Sequence, residues 1–331
     1  MALSRRDALA LMGGAAALPL LSGTAGAQTA AFPSKVVRLV VPYPAGGPTD
    51  ALARILAEDM QATFGQAVVV ENRPGASGAV GTRDIARADA DGHHIVLGNN
   101  QTHAANAFLL KEPGYDPVTD FAPIAGLADL QHVLVVRNGL GAGSVAELVA
   151  LAKKEPGKLN YGSTGLGSGS HLAMELFKTL TGTDMQHVPF RGAAPMAQEV
   201  VADRIDLAFA TLPSVLGLIQ GNLMKGLAVA SSQRAPQLPD IPRLSEQGVT
   251  GGEADSWLAL FAPAKTPAPA LARLTEVVVA ALAKPGLRDR AIQQGIAVNV
   301  RGPADFKVYQ QAEIQRWAAV AKAAGVQAQG G

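Results

Sequence analysis

The sequence predicts an α/β fold with two lobes that face a shared cleft. Hydrophobic patterns typical of strands and of helices alternate along the chain, as expected for this fold class. A glycine-containing turn joins a strand directly to a helix twice, at residues 43–50 (YPAGGPTD) and at residues 163–170 (STGLGSGS). Ligands of open α/β sheets bind at the carboxyl ends of strands, so both turns are expected to face the cleft.

The first turn is suited to an anion. It follows an apolar, β-branched run at residues 36–41 that predicts a buried strand, and it precedes a helical pattern at residues 51–63. The first N–H groups of a helix are unpaired and partly positive, and glycines let a ligand approach the backbone. We therefore predict that the backbone of Ala45, Gly46 and Gly47 contacts a ligand.

Two side chains of this turn are further candidates for ligand contact, Tyr43 and Asp50. Pro48 suits the first helical position and Asp50 the third, where an acid stabilises the start of a helix. This structural role of Asp50 is favoured over direct contact with a ligand, and both interpretations stay open.

Polar residues on the next loops of the first half are also candidates. The elements that follow are a strand (67–71), a loop without secondary structure (72–78), a helix (78–87), a short strand (94–98) and a polar loop (99–103). Ser77 lies on the first of these loops. Asn100 and Gln101 lie on the second, directly after a strand.

The second half repeats the alternation. Ser144 with Glu147 three residues later predicts a capping box that opens a helix ending near Lys154. The other predicted elements are strands at 132–137, 159–162, 187–190, 207–210, 226–230 and 258–262, and helices at 171–180, 195–202, 268–283 and 304–324.

The second glycine turn offers hydroxyl and N–H groups that suit a carboxylate. Its candidate ligand contacts are Ser163, Thr164, Gly167 and Ser168. The alternative is that the hydroxyls simply cap the helix that follows.

Two basic residues complete the set of candidates. His171 lies just inside the helix and either supports the turn or touches the ligand. Arg191 follows a strand and precedes Gly192, so it can reach the cleft and bind a carboxylate through two hydrogen bonds. The alternative for Arg191 is a salt bridge on the lobe surface.

The N-terminus predicts an export signal over residues 1–27. A basic start with Arg5-Arg6 precedes a largely apolar stretch at residues 8–21, and Ala25-Gly26-Ala27 forms a small-residue cleavage site. The apolar stretch is shorter than the ~20 residues that a membrane span needs. The arginine pair favours the twin-arginine route, with the Sec route as the alternative. We expect a mature periplasmic chain that starts at Gln28.

Composition and the absence of catalytic motifs argue against several classes of function. Because the chain has no cysteine, it has no disulfide and no cysteine metal site. Its formal net charge of +1 argues against nucleic acid as a partner. Neither a G-x-S-x-G elbow, nor H-E-x-x-H, nor a Walker A motif occurs. We therefore predict that the protein is not an enzyme and has no catalytic residue, no cofactor and no metal site. We expect it to be a monomer.

Several short stretches, taken in their order along the chain, together resemble one protein family. They are residues 44–50 (PAGGPTD), 71–76 (ENRPGA), 115–117 with 120–121, 161–165 (YGSTG) with 171–172, 187–192 (HVPFRG), 238–242 (LPDIP), and Trp257 with Ala262-Pro263. In their order and spacing they resemble the periplasmic solute-binding receptors of tripartite tricarboxylate transporters, the TctC-like or Bug-type family.

The resemblance implies a Venus-flytrap fold of type II topology. The chain would cross between lobes near residues 131–135 and 255–260, so that lobe 1 comprises residues 28–131 plus 256–331 and lobe 2 residues 132–255. The implied function is to bind a small carboxylate in the cleft and deliver it to a membrane permease. The alternative is a receptor for an amino acid or amide, or a ligand-sensing subunit for a signalling partner.

The chain departs from the family pattern at three places. His93-His94-Ile95 replaces a more usual Gly-Tyr-Thr, Gln131-His132 stands where a small residue and Asn are common, and residues 242–246 (PRLSE) replace a Pro-Thr start. These departures leave the identity of the ligand open.

Overall fold

The computed structural model describes residues 32–328, and the predicted export signal lies outside this range. The strands are β1 (Val37–Val41), β2 (Val68–Asn72), β3 (His94–Asn99), β4 (Phe121–Leu130), β5 (His132–Val136), β6 (Asn160–Ser163), β7 (Gln186–Pro189), β8 (Leu207–Thr211), β9 (Lys225–Val229), β10 (Ser256–Pro263) and β11 (Ala297–Arg301). The helices are α1 (Pro48–Phe64), α2 (Ala79–Ala86), α3 (Asn106–Leu109), α4 (Val145–Lys154), α5 (Gly169–Thr181), α6 (Ala193–Val201), α7 (Leu212–Gln220), α8 (Ala268–Ala283), α9 (Pro285–Gln293) and α10 (Pro303–Ala323).

The strands form two sheets with the same topology. One sheet has the order β11-β4-β10-β3-β1-β2 and the other β7-β6-β8-β5-β9. Each sheet contains three neighbouring parallel strands, in the order β2-β1-β3 in one sheet and β7-β6-β8 in the other. One further strand lies antiparallel beside the last of these: β10 beside β3, and β5 beside β8. This arrangement confirms the predicted two-lobed α/β fold of type II topology.

The chain passes from one sheet to the other at Gln131 and again before β10. Gln131 alone separates β4 from β5, and Asp255 immediately precedes β10. The Gln131 side chain donates from Nε2 to Ser231 Oγ at 3.2 Å, and the Ser231 hydroxyl donates to Asp255 Oδ2 at 2.8 Å. Ser231 therefore links the two crossing segments by hydrogen bonds.

The first strand, turn and helix form as the sequence predicts. β1 pairs in parallel with β2 on one side and β3 on the other. Four of its five residues are buried, which fits its almost entirely apolar sequence. Gly47 is the N-cap of α1 and Pro48 the first helical residue. Gly65 ends α1 in the left-handed conformation (φ 66°) and donates its N–H to Gln61 O at 3.0 Å.

The predicted N-cap at Ser144 and the helix that follows it are also confirmed, whereas the capping box is not, because Glu147 does not accept from the Ser144 N–H. The Ser144 hydroxyl accepts a hydrogen bond from the Glu147 N–H at 3.2 Å and α4 follows to Lys154. The Glu147 carboxylate accepts from Gly143 N–H at 2.6 Å, one residue before the N-cap.

The prediction of a polar loop at residues 99–103 is wrong. Gln101–Ala105 forms a single π-helical turn that continues into α3, and its residues are buried. Asn99 Oδ1 accepts from the N–H groups of Gln101 and Thr102 at 2.9 and 3.2 Å, which satisfies the start of the turn. His103 stacks on Phe261 with ring centroids 3.8 Å apart. The polar side chains of this segment suggested a loop, but they make their hydrogen bonds inside the protein.

The C-terminal helix α10 packs against hydrophobic clusters of both lobes. Phe306 near its start contacts the cluster around Trp257 and Phe261, whereas Trp317 and Ala321 pack with residues of the second sheet and of α5. The Trp317 indole N–H donates to Glu313 Oε2 at 2.8 Å. The lobe boundaries inferred from sequence therefore stay a prediction. Among the residues that the structure describes, no helix combines the length and apolarity needed to cross a membrane.

Truncation of Trp317 is expected to lower the free energy of unfolding. Trp317→Ala should cost about 3–5 kcal/mol, because a fully buried aromatic ring and its hydrogen bond are lost. Urea denaturation followed by circular dichroism and by the fluorescence of Trp257 measures the change. Val308→Ala on the same helix is the control: Val308 is 70% exposed and its loss should cost less than about 0.5 kcal/mol. Equal midpoints for the two variants would contradict the role given to α10.

Candidate ligand-binding cleft

A cleft of about 800 Å³ lies between the two sheets. Its walls are the segments that follow β1, β2, β3, β6 and β7, together with both crossing segments. The size suits a small molecule, and the position at the carboxyl ends of parallel strands is the one that the sequence predicted.

The structure brings most of the predicted site residues together in this cleft. Those that line it are Tyr43, Ala45, Gly46, Gly47, Ser77, Asn100, Gln101, Thr164, Ser168 and Arg191. Those that do not line it are Asp50, Ser163, Gly167 and His171.

Asp50 holds the first turn in place from outside the cleft. Its Oδ2 accepts from the Gly46 N–H at 2.9 Å and from Arg54 Nε at 3.0 Å, and its Oδ1 accepts from Asn72 Nδ2 at 3.0 Å. Burial acts to raise the pKa of Asp50, but these hydrogen bonds outweigh it and lower the pKa below its ordinary value. The geometry supports the structural role. Asp50 also occupies the Gly46 N–H, whereas the Ala45 and Gly47 N–H groups make no hydrogen bond within residues 32–328.

Residues of the first lobe reach the loop after β6. Gln101 Nε2 donates to Leu166 O at 2.9 Å, and the Ser77 hydroxyl donates to the same oxygen at 3.5 Å. The Tyr43 hydroxyl lies 2.8 Å from Asn99 Oδ1 and 3.1 Å from Gln101 Oε1. Burial raises the pKa of Tyr43, so this hydroxyl remains a neutral donor. The two hydrogen bonds to Leu166 O join the two walls of the cleft.

The hydroxyl groups of the second turn are largely used inside the turn. Ser168 donates to Gly165 O at 2.6 Å and accepts from the His171 N–H at 3.3 Å, as an N-cap does. The Thr164 N–H donates to Ser170 Oγ at 2.9 Å. Ser163 is fully buried, and its hydroxyl lies 2.6 Å from His187 Nε2. The capping alternative considered from sequence therefore accounts for much of this chemistry.

A stack of three rings supports the second turn from below. His171 stacks on His187 at 4.1 Å between centroids, and His187 stacks on Tyr161 at 4.9 Å. His171 Nδ1 accepts from the Gly167 N–H at 3.2 Å, which requires a ring without a proton on that nitrogen. Burial lowers the pKa of His171 to about 3 and that of His187 to about 4, so both rings are neutral at neutral pH. His171 thus supports the turn.

Helix N-termini surround the cleft. The N-cap residues of five helices line it: Gly47, Gly78, Ser168, Gly192 and Thr211. Arg191 lies beside the fourth, is exposed, and forms no ion pair with any residue that the structure describes. No Asp or Glu is among the residues lining the cleft within 32–328. Partial positive charges therefore converge on a space without an acidic side chain.

Sequence reasoning missed two side chains at the floor of the cleft, His132 and Ser256. Both stand at the start of a strand that enters from the other lobe, β5 and β10. His132 had been singled out only as a departure from the family pattern. Its contribution depends on the crossing geometry, which hydrophobic periodicity does not reveal.

A two-lobed α/β fold with a cleft between its sheets is the architecture of solute-binding receptors. The chain belongs to the tripartite tricarboxylate transporter receptor family: the model of the family, described as "Tripartite tricarboxylate transporter family receptor", matches residues 52–326. The family consists of periplasmic solute-binding receptors and not of enzymes, as the sequence predicted.

Three similar proteins illustrate the relationship. BugT of Bordetella pertussis is 31% identical over 89% of this chain and 90% of its own length. The structure of R. palustris Rpa4515 with adipate is 36% identical, has a TM-score of 0.87, and covers 90% of this chain and 100% of that one. MatC (Rpa3494) from Rhodopseudomonas palustris with bound malate is 32% identical, with a TM-score of 0.82 and coverage of 87% and 99%.

The second crossing segment carries a buried carboxyl group. Asp255 Oδ2 accepts from Ser231 Oγ, whereas Oδ1 is buried without a partner among the described residues. Burial raises the pKa of Asp255 to about 7, and the negative charges of Asp129 and Glu313 act in the same direction against Ser231 and Arg316. The folded protein therefore holds a proton here that the unfolded chain releases at lower pH.

Asp255 is expected to lower the free energy of unfolding as the pH rises from about 4 to about 7, by up to ~1.4 kcal/mol per pH unit. The sign follows because this carboxyl group binds more protons in the folded state than in the unfolded state in this window. The buried histidines, among them His132, His171 and His187, act in the opposite direction because burial lowers their pKa values. Asp255→Asn should therefore give a free energy of unfolding that rises more steeply with pH than that of the wild type, which denaturation at a series of pH values measures. Asp240→Asn, at an exposed position, should keep the wild-type slope. A wild-type slope in Asp255→Asn would show that Asp255 is ionised throughout.

Proposed function

We propose that this protein binds a small carboxylate in the cleft and delivers it to the membrane permease of a tripartite tricarboxylate transporter. The observation that carries the proposal is the convergence of five helix N-termini and Arg191 on a cleft without an acidic side chain among its described lining residues. Such a site stabilises an anion by fixed dipoles. The structural relatives with adipate and with malate support a carboxylate, and membership of the receptor family supports a permease partner.

The proposed contacts come from both walls. The Ala45 and Gly47 N–H groups would bind one carboxylate from the first lobe, and the Thr164 hydroxyl with the N-terminus of α5 would bind it from the second. Asn100, Gln101, Ser77 and Tyr43 would surround the rest of the ligand.

An amino acid is a weaker candidate as the ligand. Its ammonium group would lose its hydration in the cleft without gaining a carboxylate partner from the described lining residues. We propose that the protein reaches the periplasm through the N-terminal export signal predicted from the sequence. The twin-arginine route is favoured over the Sec route.

A bulkier residue at position 47 is expected to block binding without unfolding the protein. The φ of Gly47 is −84°, which any residue adopts, and an added Cβ would meet only Pro44 O at 3.8 Å. Gly47→Val therefore fits the fold but places two methyl groups in the cleft. Affinity for every carboxylate that the wild type binds should fall on the order of 100-fold or more, measured by calorimetry over a panel of mono- and dicarboxylates.

The control for this variant is Gly286→Val, at a helix start outside the cleft with no atom near the added Cβ. It should bind as the wild type does. A wild-type protein that binds no carboxylate of the panel would refute the proposed function, whereas wild-type affinity in Gly47→Val would remove the first turn from the site.

Arg191 is expected to bind a second anionic group of the ligand. Because its guanidinium is unpaired in the described structure and stands at the cleft, it can bind a distal carboxylate through charge-assisted hydrogen bonds. Arg191→Ala should weaken a dicarboxylate such as succinate by about 10- to 100-fold. The matching monocarboxylate, butyrate, should lose less than about threefold. Arg288→Ala, outside the cleft, is the matched control; equal losses for both ligands in Arg191→Ala would contradict this role.

A further inference from the structure

Three polar side chains meet at the floor of the cleft. Asn100, His132 and Ser256 come from the end of β3 and the starts of β5 and β10, and all three are at least nine-tenths buried. They surround Gly169, the first residue of α5. A Cβ at Gly169 would stand 2.2 Å from Ser256 Oγ, 2.8 Å from His132 Cε1 and 3.1 Å from Asn100 Nδ2. Only a glycine allows the N-terminus of α5 to approach these groups so closely.

The proton on His132 has a fixed position. His132 Nδ1 lies 2.7 Å from the carbonyl oxygen of Ala254, so Nδ1 carries the proton and donates it. Burial lowers the pKa of His132 to about 4, and the ring is therefore neutral at neutral pH. In a neutral ring with a proton on Nδ1, Nε2 can only accept a hydrogen bond. No residue within 32–328 donates to it.

The neighbours of His132 are also unsatisfied. Asn100 Nδ2 is buried and has no partner in the described structure, and the Ser256 hydroxyl makes no hydrogen bond there either. A buried polar group without a partner is costly and rare in native proteins. The buried Asn100 Nδ2, beside two further groups that line the cleft and make no hydrogen bond within the described residues, therefore points to a ligand. The group that binds here must satisfy one obligate acceptor and at least one donor.

Few ligand groups meet this requirement. A carboxylate or keto oxygen has no proton for Nε2, and its lone pairs would face the lone pair of the imidazole. An ammonium has protons but cannot accept from Asn100, and the described lining residues offer it no carboxylate. A carboxamide has a donor and an acceptor, but on two separate atoms, so it would have to place its nitrogen at Nε2 and its oxygen at Asn100 or Ser256 at the same time. A hydroxyl group donates to Nε2 and accepts from Asn100 or Ser256 through one oxygen.

We infer that the ligand is a hydroxycarboxylate, whose hydroxyl group binds His132 Nε2 and Asn100 at the floor while its carboxylate binds the helix N-termini. This inference rests on the proposed function and narrows its substrate class. His132 is then the residue that distinguishes hydroxylated from unsubstituted carboxylates.

Matched ligand pairs test the inference. Calorimetry would compare L- and D-malate with succinate and L- and D-lactate with propionate on the wild type, His132→Leu and His132→Gln. The wild type should prefer one hydroxy acid of a pair by about tenfold over its unsubstituted analogue. His132→Leu should abolish the preference, and His132→Gln, whose Oε1 can stand near the position of Nε2, should keep part of it. His94→Leu, a histidine outside the cleft, should keep the wild-type ratio.

The outcomes separate the two proposals. Binding of carboxylates without any preference for the hydroxyl, or a preference that survives unchanged in His132→Leu, would overturn the hydroxycarboxylate inference and leave the proposed function standing. Absence of binding to every carboxylate would overturn both. A folded His132→Leu, shown by an unchanged circular dichroism spectrum and by retained succinate binding, excludes misfolding as the cause of a lost preference.

Discussion

The constraint on which this structure depends is the unsatisfied backbone at the start of each helix. The first N–H groups of a helix have no partner within the helix and must find one elsewhere. Two sheets of the same topology bring five such N-termini to one cleft. Part of the demand is met by side chains, as where Ser168 accepts from the His171 N–H of α5. Asp50 accepts from Gly46, the residue before the N-cap of α1, and so holds the first turn in place. The remaining N–H groups form a site that attracts an anion while only one full cation, Arg191, lines the cleft among the described residues.

The rigidity of that site comes from residues that no ligand would touch. The stacked rings of His171, His187 and Tyr161 lie beneath the second turn, and neutral histidines suit that position because a buried charge there would lack compensation. The two walls are joined across the cleft at Leu166 and behind it through Ser231. Movement of the lobes would therefore exchange a few hydrogen bonds at known positions, while α10 keeps apolar contacts with both clusters.

The fold could be predicted from the sequence only where local sequence patterns determine the structure. The run of strand, glycine turn and helix at residues 37–64 was predicted because periodicity, Pro48 and the glycines agree. The ten-residue strand β4 was not, since Pro123 and Gly126 interrupt its pattern and its stability comes from pairing with β10 and β11, distant in sequence. The same limit applies to the site. Ser163 has the chemistry of a ligand contact, but its hydroxyl is occupied by His187, 24 residues away, and periodicity does not show which polar groups pair across a fold.

Specificity and affinity arise from different parts of this cleft. Helix dipoles and glycine N–H groups favour any small anion, because partial charges spread over several turns do not distinguish one carboxylate from another. Discrimination needs a group whose donor or acceptor character is fixed, since a serine or an asparagine can rotate to suit what it meets. At the floor, His132 meets that condition: the Ala254 carbonyl oxygen fixes its tautomer, and burial keeps it neutral. A receptor fold can thus change its ligand through one residue at the crossing between lobes, while the anion-binding backbone that surrounds it stays the same.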